Sequence, residues 1–118
     1  MKENTLLEKT FAFAIRVVKA YKYLVVKEKN EFVLSKQFLR SGTSIGANAE
    51  EAVGGQSKPD SISKISIAYK EARETKYWIK LLEATNYFEQ AQAKSLLDDL
   101  EEILKIIGAI QITSKSNS

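Results

Sequence analysis

The sequence predicts an all-α protein, an antiparallel up-down-up-down four-helix bundle. Three observations predict it. Apolar residues recur at four-three spacing along four long stretches. Only one proline and five glycines stand among the 118 residues, few enough for long helices. The β-branched residues alternate over no useful length, so no strand competes.

Helix one is expected over about 5–28. Thr5 and Glu8 have capping-box spacing. Leu7, Phe11, Ala14, Val18, Tyr21 and Val25 step by four and three, a helical seam. A second stripe, Leu6, Phe13, Val17 and Leu24, lies ~100° round the helix. Together they form an apolar wedge nearly half the circumference wide. "KEKNE", Lys27 to Glu31, reads as a charged turn.

Helix two is expected over about 32–53, with seam Leu34, Phe38, Ser41, Ile45, Asn48 and Ala52. Gly54-Gly55 supplies its stop. Helix three is expected over about 59–84, with Ser57 as cap and Pro59 tolerated in the first turn. Its seam is Ile65, Ala68, Ala72, Thr75, Ile79 and Leu82. Asn86, in "TNY", suits the left-handed position after a helix end. Helix four is expected over about 89–112, with seam Ala93, Leu96, Leu100, Ile103, Ile107 and Ile110. Residues 113–118 read as a polar, flexible tail. Helices of ~22–26 residues span ~33–39 Å at 1.5 Å per residue. Short connections set sequential helices antiparallel within one domain, 1–112.

Composition removes most catalytic equipment. Cysteine is absent, so disulfides and thiolate metal sites are excluded. Histidine is absent, which removes the commonest general base and metal ligand. Carboxylates cluster as Asp98, Asp99, Glu101 and Glu102, and as Glu71 with Glu74. A di-iron bundle needs Glu-x-x-His motifs, so no such site is expected, and the helix-four acids, which flank Leu100 and Ile103, read as a solvated face. The expectation is a non-enzyme with no metal and no cofactor. No apolar run approaches the ~18 residues of a membrane span. "MKENTLLEK" lacks a signal-peptide core. A cytoplasmic protein with no membrane partner is the expectation.

"RSGTSIGANAEEAVGG", Arg40 to Gly55, could be a phosphate loop or a helix of small residues. It has neither P-loop nor dinucleotide-loop spacing. Gly42 and Gly46 share one helix face. Each costs ~1 kcal/mol relative to Ala in a helix interior. Close approach of another helix is the simplest offset, with approach of a ligand or nucleic acid as the alternative. Asn48 lies on the seam within a turn of Ser44. It reads as a register-fixing polar residue, or as a ligand contact.

Charge is uneven along the chain. Residues 1–28 hold six basic and three acidic side chains, and residues 57–87 hold six and four. Tyr69, Arg73, Lys76 and Lys80 form a stripe on helix three. Lys9, Arg16, Tyr23 and Lys27 form another on helix one, and Arg40 precedes the small-residue stretch. Basic side chains with an aromatic among them suit phosphate contacts and stacking. Lysines also cover helix flanks by snorkelling, and Glu71, Glu74 and Glu83 dilute the field. The wedge of helix one and the small flank of helix two exceed what one bundle must bury. A homo-oligomer is therefore expected.

At these residues the chain resembles the four-helix-bundle proteins encoded in intervening sequences of bacterial 23S ribosomal RNA genes. The resemblance spans roughly Leu6 to Ile112. "RSGTSIGANAEEA" resembles the family pattern of Arg, small residues, then Ser-Ile-x-x-Asn-Ile-Ala-Glu-Gly. Arg40, Ser44, Ile45, Asn48 and Glu51 match it. Ala49, Glu50 and Ala52 depart from it. "IAYKEARETKYWIKLLEATNY", Ile67 to Tyr87, looks like the family's third helix and turn, with Glu74 on its recurrent acidic position. The resemblance implies a bundle that assembles into a ring, with a homopentamer expected. Related accessory proteins of diversity-generating retroelements form similar basic rings that bind nucleic acid. The leading expectation is thus a non-enzymatic oligomer binding RNA or DNA through its phosphates. Arg73, Lys76 and Lys80 are the first candidates, and Arg40, Lys9 and Arg16 the second. The rival is a protein-interaction scaffold that binds no nucleic acid.

Overall fold

The computed structural model describes residues 2–27 and 33–116, which form four α-helices and the turns between them. They are α1 (Lys2–Lys27), α2 (Val33–Val53), α3 (Lys58–Ala84) and α4 (Gln90–Ser116). No strand occurs among the described residues. The charged turn expected at 27–31 falls, beyond Lys27, outside them. Each helix packs on its neighbours in sequence, and α4 closes the square against α1. The pairs α1 with α3 and α2 with α4 stand diagonally. Cross-helix partners fix the directions. Gly42 faces Val17 while Gly46 faces Thr10. Arg40 reaches Glu71 while Glu51 meets Lys64. Lys9 meets Glu102 while Arg16 meets Asp99. All three pairs run antiparallel.

The expected seams of α3 and α4 are buried at every position. On α2 the seam holds at Phe38, Ser41, Ile45 and Ala52. Asn48 departs from it. Its side chain is half-buried and donates to the Ser44 carbonyl one turn back, at 2.8 Å, inside its own helix. Ala49 takes the fully buried place beside it. The amide nitrogen of Asn48 is thus engaged within its own helix.

The stripes of α1 exchange roles. The core line is Leu6, Thr10, Phe13, Val17, Ala20 and Leu24. The line through Leu7, Ala14, Val18, Tyr21 and Val25 is half-buried, and Phe11 on it is 67% exposed. The cause lies on α2. Gly42 and Gly46 leave a smooth strip that accepts the α1 surface bearing Thr10 and Val17. The nearest Val17 methyl lies 2.7 Å from where a Gly42 Cβ would stand. The small flank of α2 is thus filled by α1 of the same chain, not held for another copy.

The helix ends follow from local chemistry. The Ser57 hydroxyl accepts from the Asp60 amide at 3.2 Å, with Pro59 in the first turn of α3. Asn86 has φ 68°, the left-handed conformation. Around it the Tyr87 amide donates to the Leu82 carbonyl at 2.8 Å and the Asn86 amide to the Glu83 carbonyl at 3.0 Å. This pair of bonds is a Schellman stop. The turn delivers Phe88 into the core, edge-on to Phe38 at 5.4 Å between ring centres. Two ends differ from expectation. α1 begins at Lys2, so Thr5 sits inside the helix and the capping box is unused. α4 continues to Ser116, past the expected end at 112. No glycine or proline follows Gly108 to stop it, and Thr113 bonds back to the Ala109 carbonyl at 3.0 Å.

The interior polar groups are satisfied locally. Thr10 donates to the Leu6 carbonyl, Ser41 to Phe38, and Thr75 to Glu71. No buried side-chain nitrogen or oxygen among the described residues lacks a partner.

Candidate functional site

The candidate basic residues separate into two groups once the helices are assembled, while Lys19, Lys22, Lys36 and Lys105 stand exposed elsewhere on α1, α2 and α4. The first group is bound by acids on neighbouring helices. Arg40, from α2, is held by three side chains. Its guanidinium donates to Glu71 at 3.1 Å, to Glu74, and to the Gln37 amide oxygen at 3.2 Å. Glu74 also accepts from the Trp78 indole at 2.9 Å. The Glu71 side chain is only 11% exposed. A carboxylate so placed needs a cation, and breaking such a pair strands a charge. Arg40 is thus a packing element of the α2–α3 interface.

Arg16 joins α1 to α4. It reaches the Asp99 carboxylate at 2.5 Å, the Ser95 hydroxyl at 2.9 Å and the Ser95 carbonyl at 3.3 Å. Lys9 meets Glu102 on the same seam at 3.0 Å. Lys76 meets Glu101 across the α3–α4 seam at 2.8 Å. Such exposed pairs contribute only ~0.2–1 kcal/mol each. Their consequence for function is larger, because a phosphate must displace a carboxylate to use the cation. The acids of α4 keep about half of their side-chain surface in water, as expected of a solvated face, while Asp99, Glu101 and Glu102 also pair with cations of neighbouring helices and Asp98 with Lys94 of its own.

The second group lies on the outer surface of α3. Ser66, Lys70, Arg73, Tyr77, Lys80 and Ala84 step by four and three, and all six are exposed. This stripe contains three cations and no acid. None of the three cations makes an ion pair among the described residues, whereas Glu71 and Glu74 turn to Arg40 on the α2 side. Lys76 and Glu83 fall on the α4 side of the helix, where Lys76 is paired. Folding thus leaves an acid-free arc on the outer side of α3.

Of the six candidate cations, Arg73 and Lys80 lie on this face. Lys76 lies at its edge in an ion pair, and Arg40, Lys9 and Arg16 are committed elsewhere. Gly42 and Gly46 pack on α1, and the Ser44 hydroxyl donates to the Arg40 carbonyl at 2.7 Å. Lys70 and Tyr77 complete the stripe and were not among the candidates. Extending the four-three step from Arg73 and Lys80 reaches both, so the spacing could have found them. The missing knowledge was which arc of α3 faces water.

Two hollows flank Arg73. One is bordered by Tyr77, Lys80, Leu81 and Ala84. The other lies between α3 and α4, bordered by Tyr69, Lys105, Gly108 and Gln111. Gly108 leaves its floor open, since a Cβ there would meet nothing within 4 Å. No group of three or more acidic residues is arranged to hold a metal ion among the described residues. No helix of the described residues is long and apolar enough to cross a membrane.

Fold and surface together define a helical-bundle protein with ion-paired seams and an acid-free cationic stripe on α3. The family model for 23S rRNA-intervening sequence proteins matches residues 2–109, and the chain belongs to that family. Its fold is shared by a crystallised protein of unknown function from the S23 ribosomal protein family of Bacteroides thetaiotaomicron. That protein is 50% identical over 94% of this chain and 98% of its own length, with a TM-score of 0.91. A search of curated proteins finds no match.

Proposed function

We propose that this protein is a non-enzymatic homo-oligomer that binds nucleic acid through the outer face of α3. The observation that carries the reading is the acid-free stripe of Lys70, Arg73 and Lys80. Unpaired cations on one face attract a polyanion, and each phosphate contact releases condensed counterions. The test is a salt titration of affinity for a labelled oligonucleotide. Three phosphate contacts per binding unit predict a log–log slope of about −2 to −3, from ~0.7–0.9 per contact. Absence of binding at 50 mM salt, with a partner protein recovered instead, would favour the scaffold reading.

The oligomer reading rests on α1. Its outer side carries Phe11 at 67% exposure, Val26 at 77%, and Ile15. The half-buried Leu7 and Val18 extend the patch of Phe11 and Ile15, and the exposed Lys22 separates that patch from Val26. Such a patch is expected to be covered in an assembly. In a closed ring each copy would set it against a different, complementary patch of its neighbour. Phe11→Asp with Ile15→Asp is expected to convert the assembly to monomers that retain their helices. Light scattering after size exclusion, with circular dichroism, checks this. An unmodified chain that is monomeric at 100 μM would overturn it.

A further inference from the structure

The cationic face also carries an exposed aromatic ring in a fixed setting. Tyr77 is 59% exposed and stands between Arg73, four residues before it, and Lys80, three after it. Residues at those spacings are neighbours on a helix surface, with Cβ atoms ~5–6 Å apart. The Tyr77 ring rests edge-on against Trp78, 5.1 Å between centres. Trp78 is anchored in turn by its indole bond to Glu74, which Arg40 holds. The ring is therefore braced from behind by the α2–α3 ion-pair cluster while its outer side faces water.

A second aromatic lies on the other side of Arg73. Tyr69 borders the hollow floored by Gly108, with Lys105 opposite. Tyr69 and Tyr77 are eight residues apart, about 12 Å along the helix. Arg73 stands midway and borders both hollows.

We infer that the occupant of this face is single-stranded nucleic acid, held by base stacking on Tyr77 as well as by its phosphates. This rests on the nucleic-acid reading above and adds the substrate class. A duplex hides its base faces, so it could use the cations but not the ring. A single strand offers a base plane beside every phosphate, which matches an aromatic set between two cations. Stacking tolerates any base, so the face selects strandedness rather than sequence.

The experiment compares three labelled probes by fluorescence anisotropy at fixed salt. They are a 20-nucleotide oligothymidine, an abasic chain of the same length, and a 20-base-pair duplex. The unmodified protein should bind oligothymidine at least about 5-fold tighter than the abasic chain. Tyr77→Ala should weaken oligothymidine binding by about 5- to 100-fold, from ~1–3 kcal/mol per stacked base. It should leave the duplex and abasic affinities within about twofold, and Tyr77→Trp should restore the preference. Equal affinity of the unmodified protein for oligothymidine and the abasic chain would overturn stacking while leaving phosphate binding intact. So would an equal loss for all three probes in Tyr77→Ala. Failure of all three probes to bind the unmodified protein would overturn both readings together.

Discussion

Reversal of Lys70, Arg73 and Lys80 to Glu together is expected to weaken nucleic-acid binding on the order of 100-fold. The figure takes about 1 kcal/mol for each cation–phosphate interaction. The new carboxylates add repulsion, so it is a lower bound. The salt slope should fall as well, by about one for each cation removed. These residues are exposed and make no ion pairs among the described residues, so the fold should be untouched. A reversal of Lys36 and Lys94, exposed on α2 and α4, separates net charge from position. It should change affinity by no more than about threefold at physiological salt, where the Debye length is ≈ 8 Å. Comparable losses in the two variants would mean that the protein attracts polyanions by overall charge. Arg16→Glu is not an equivalent probe. It would set a carboxylate against Asp99 and disturb the α1–α4 seam before any ligand arrived.

The second large effect concerns the strip on which α1 rests. Gly42→Ala is expected to cost about 2 kcal/mol of stability. The added Cβ would stand 2.7 and 2.8 Å from the two Val17 methyls, and Val17 is fully buried and cannot swing away. Overpacking of that kind costs ~1–3 kcal/mol, against which the better helix propensity of alanine returns only part. Val17→Ala removes both methyls. Combined with Gly42→Ala it should recover at least about 1 kcal/mol relative to the sum of the single changes, a coupling of residues that touch. Gly108→Ala carries the opposite sign. Nothing lies near its Cβ position, so it should gain up to about 1 kcal/mol from propensity alone. Urea denaturation of the four variants measures all of these. A neutral Gly42→Ala would show that α1 can back away from α2.

Much of this architecture was legible in the chain because helices are specified by short-range rules. The seams of α3 and α4 follow from four-three spacing, since a side chain's direction on a helix is fixed by its position. The Ser57 cap and the Asn86 stop follow from which residues can satisfy a helix end or tolerate a left-handed turn. The two apolar stripes on α1 could not be ranked from the sequence. Their ranking depends on the surface offered by α2, which contributes glycines where α1 contributes Thr10 and Val17. Asn48 falls on the seam by spacing, yet its amide finds a carbonyl within its own helix. No rule of spacing distinguishes that bond from one across the core.

The candidate face shows the same division. The sequence by itself determined that α3 is a basic, amphipathic helix with aromatics among its cations, and that no histidine or cysteine chemistry is available. It could not say which cations are free. Lys76, Arg40, Lys9 and Arg16 find carboxylates only when helices distant in sequence are brought side by side, as Arg16 meets Asp99 and Arg40 meets Glu71. Only the tertiary structure decided that the arc bearing Lys70, Arg73, Tyr77 and Lys80 faces water, with its cations in no ion pair among the described residues. The physical reason is range. Helix formation and capping act over a few residues along the chain, whereas ion pairing is set by distance in space. Which charges remain for a partner is settled after the helices have packed.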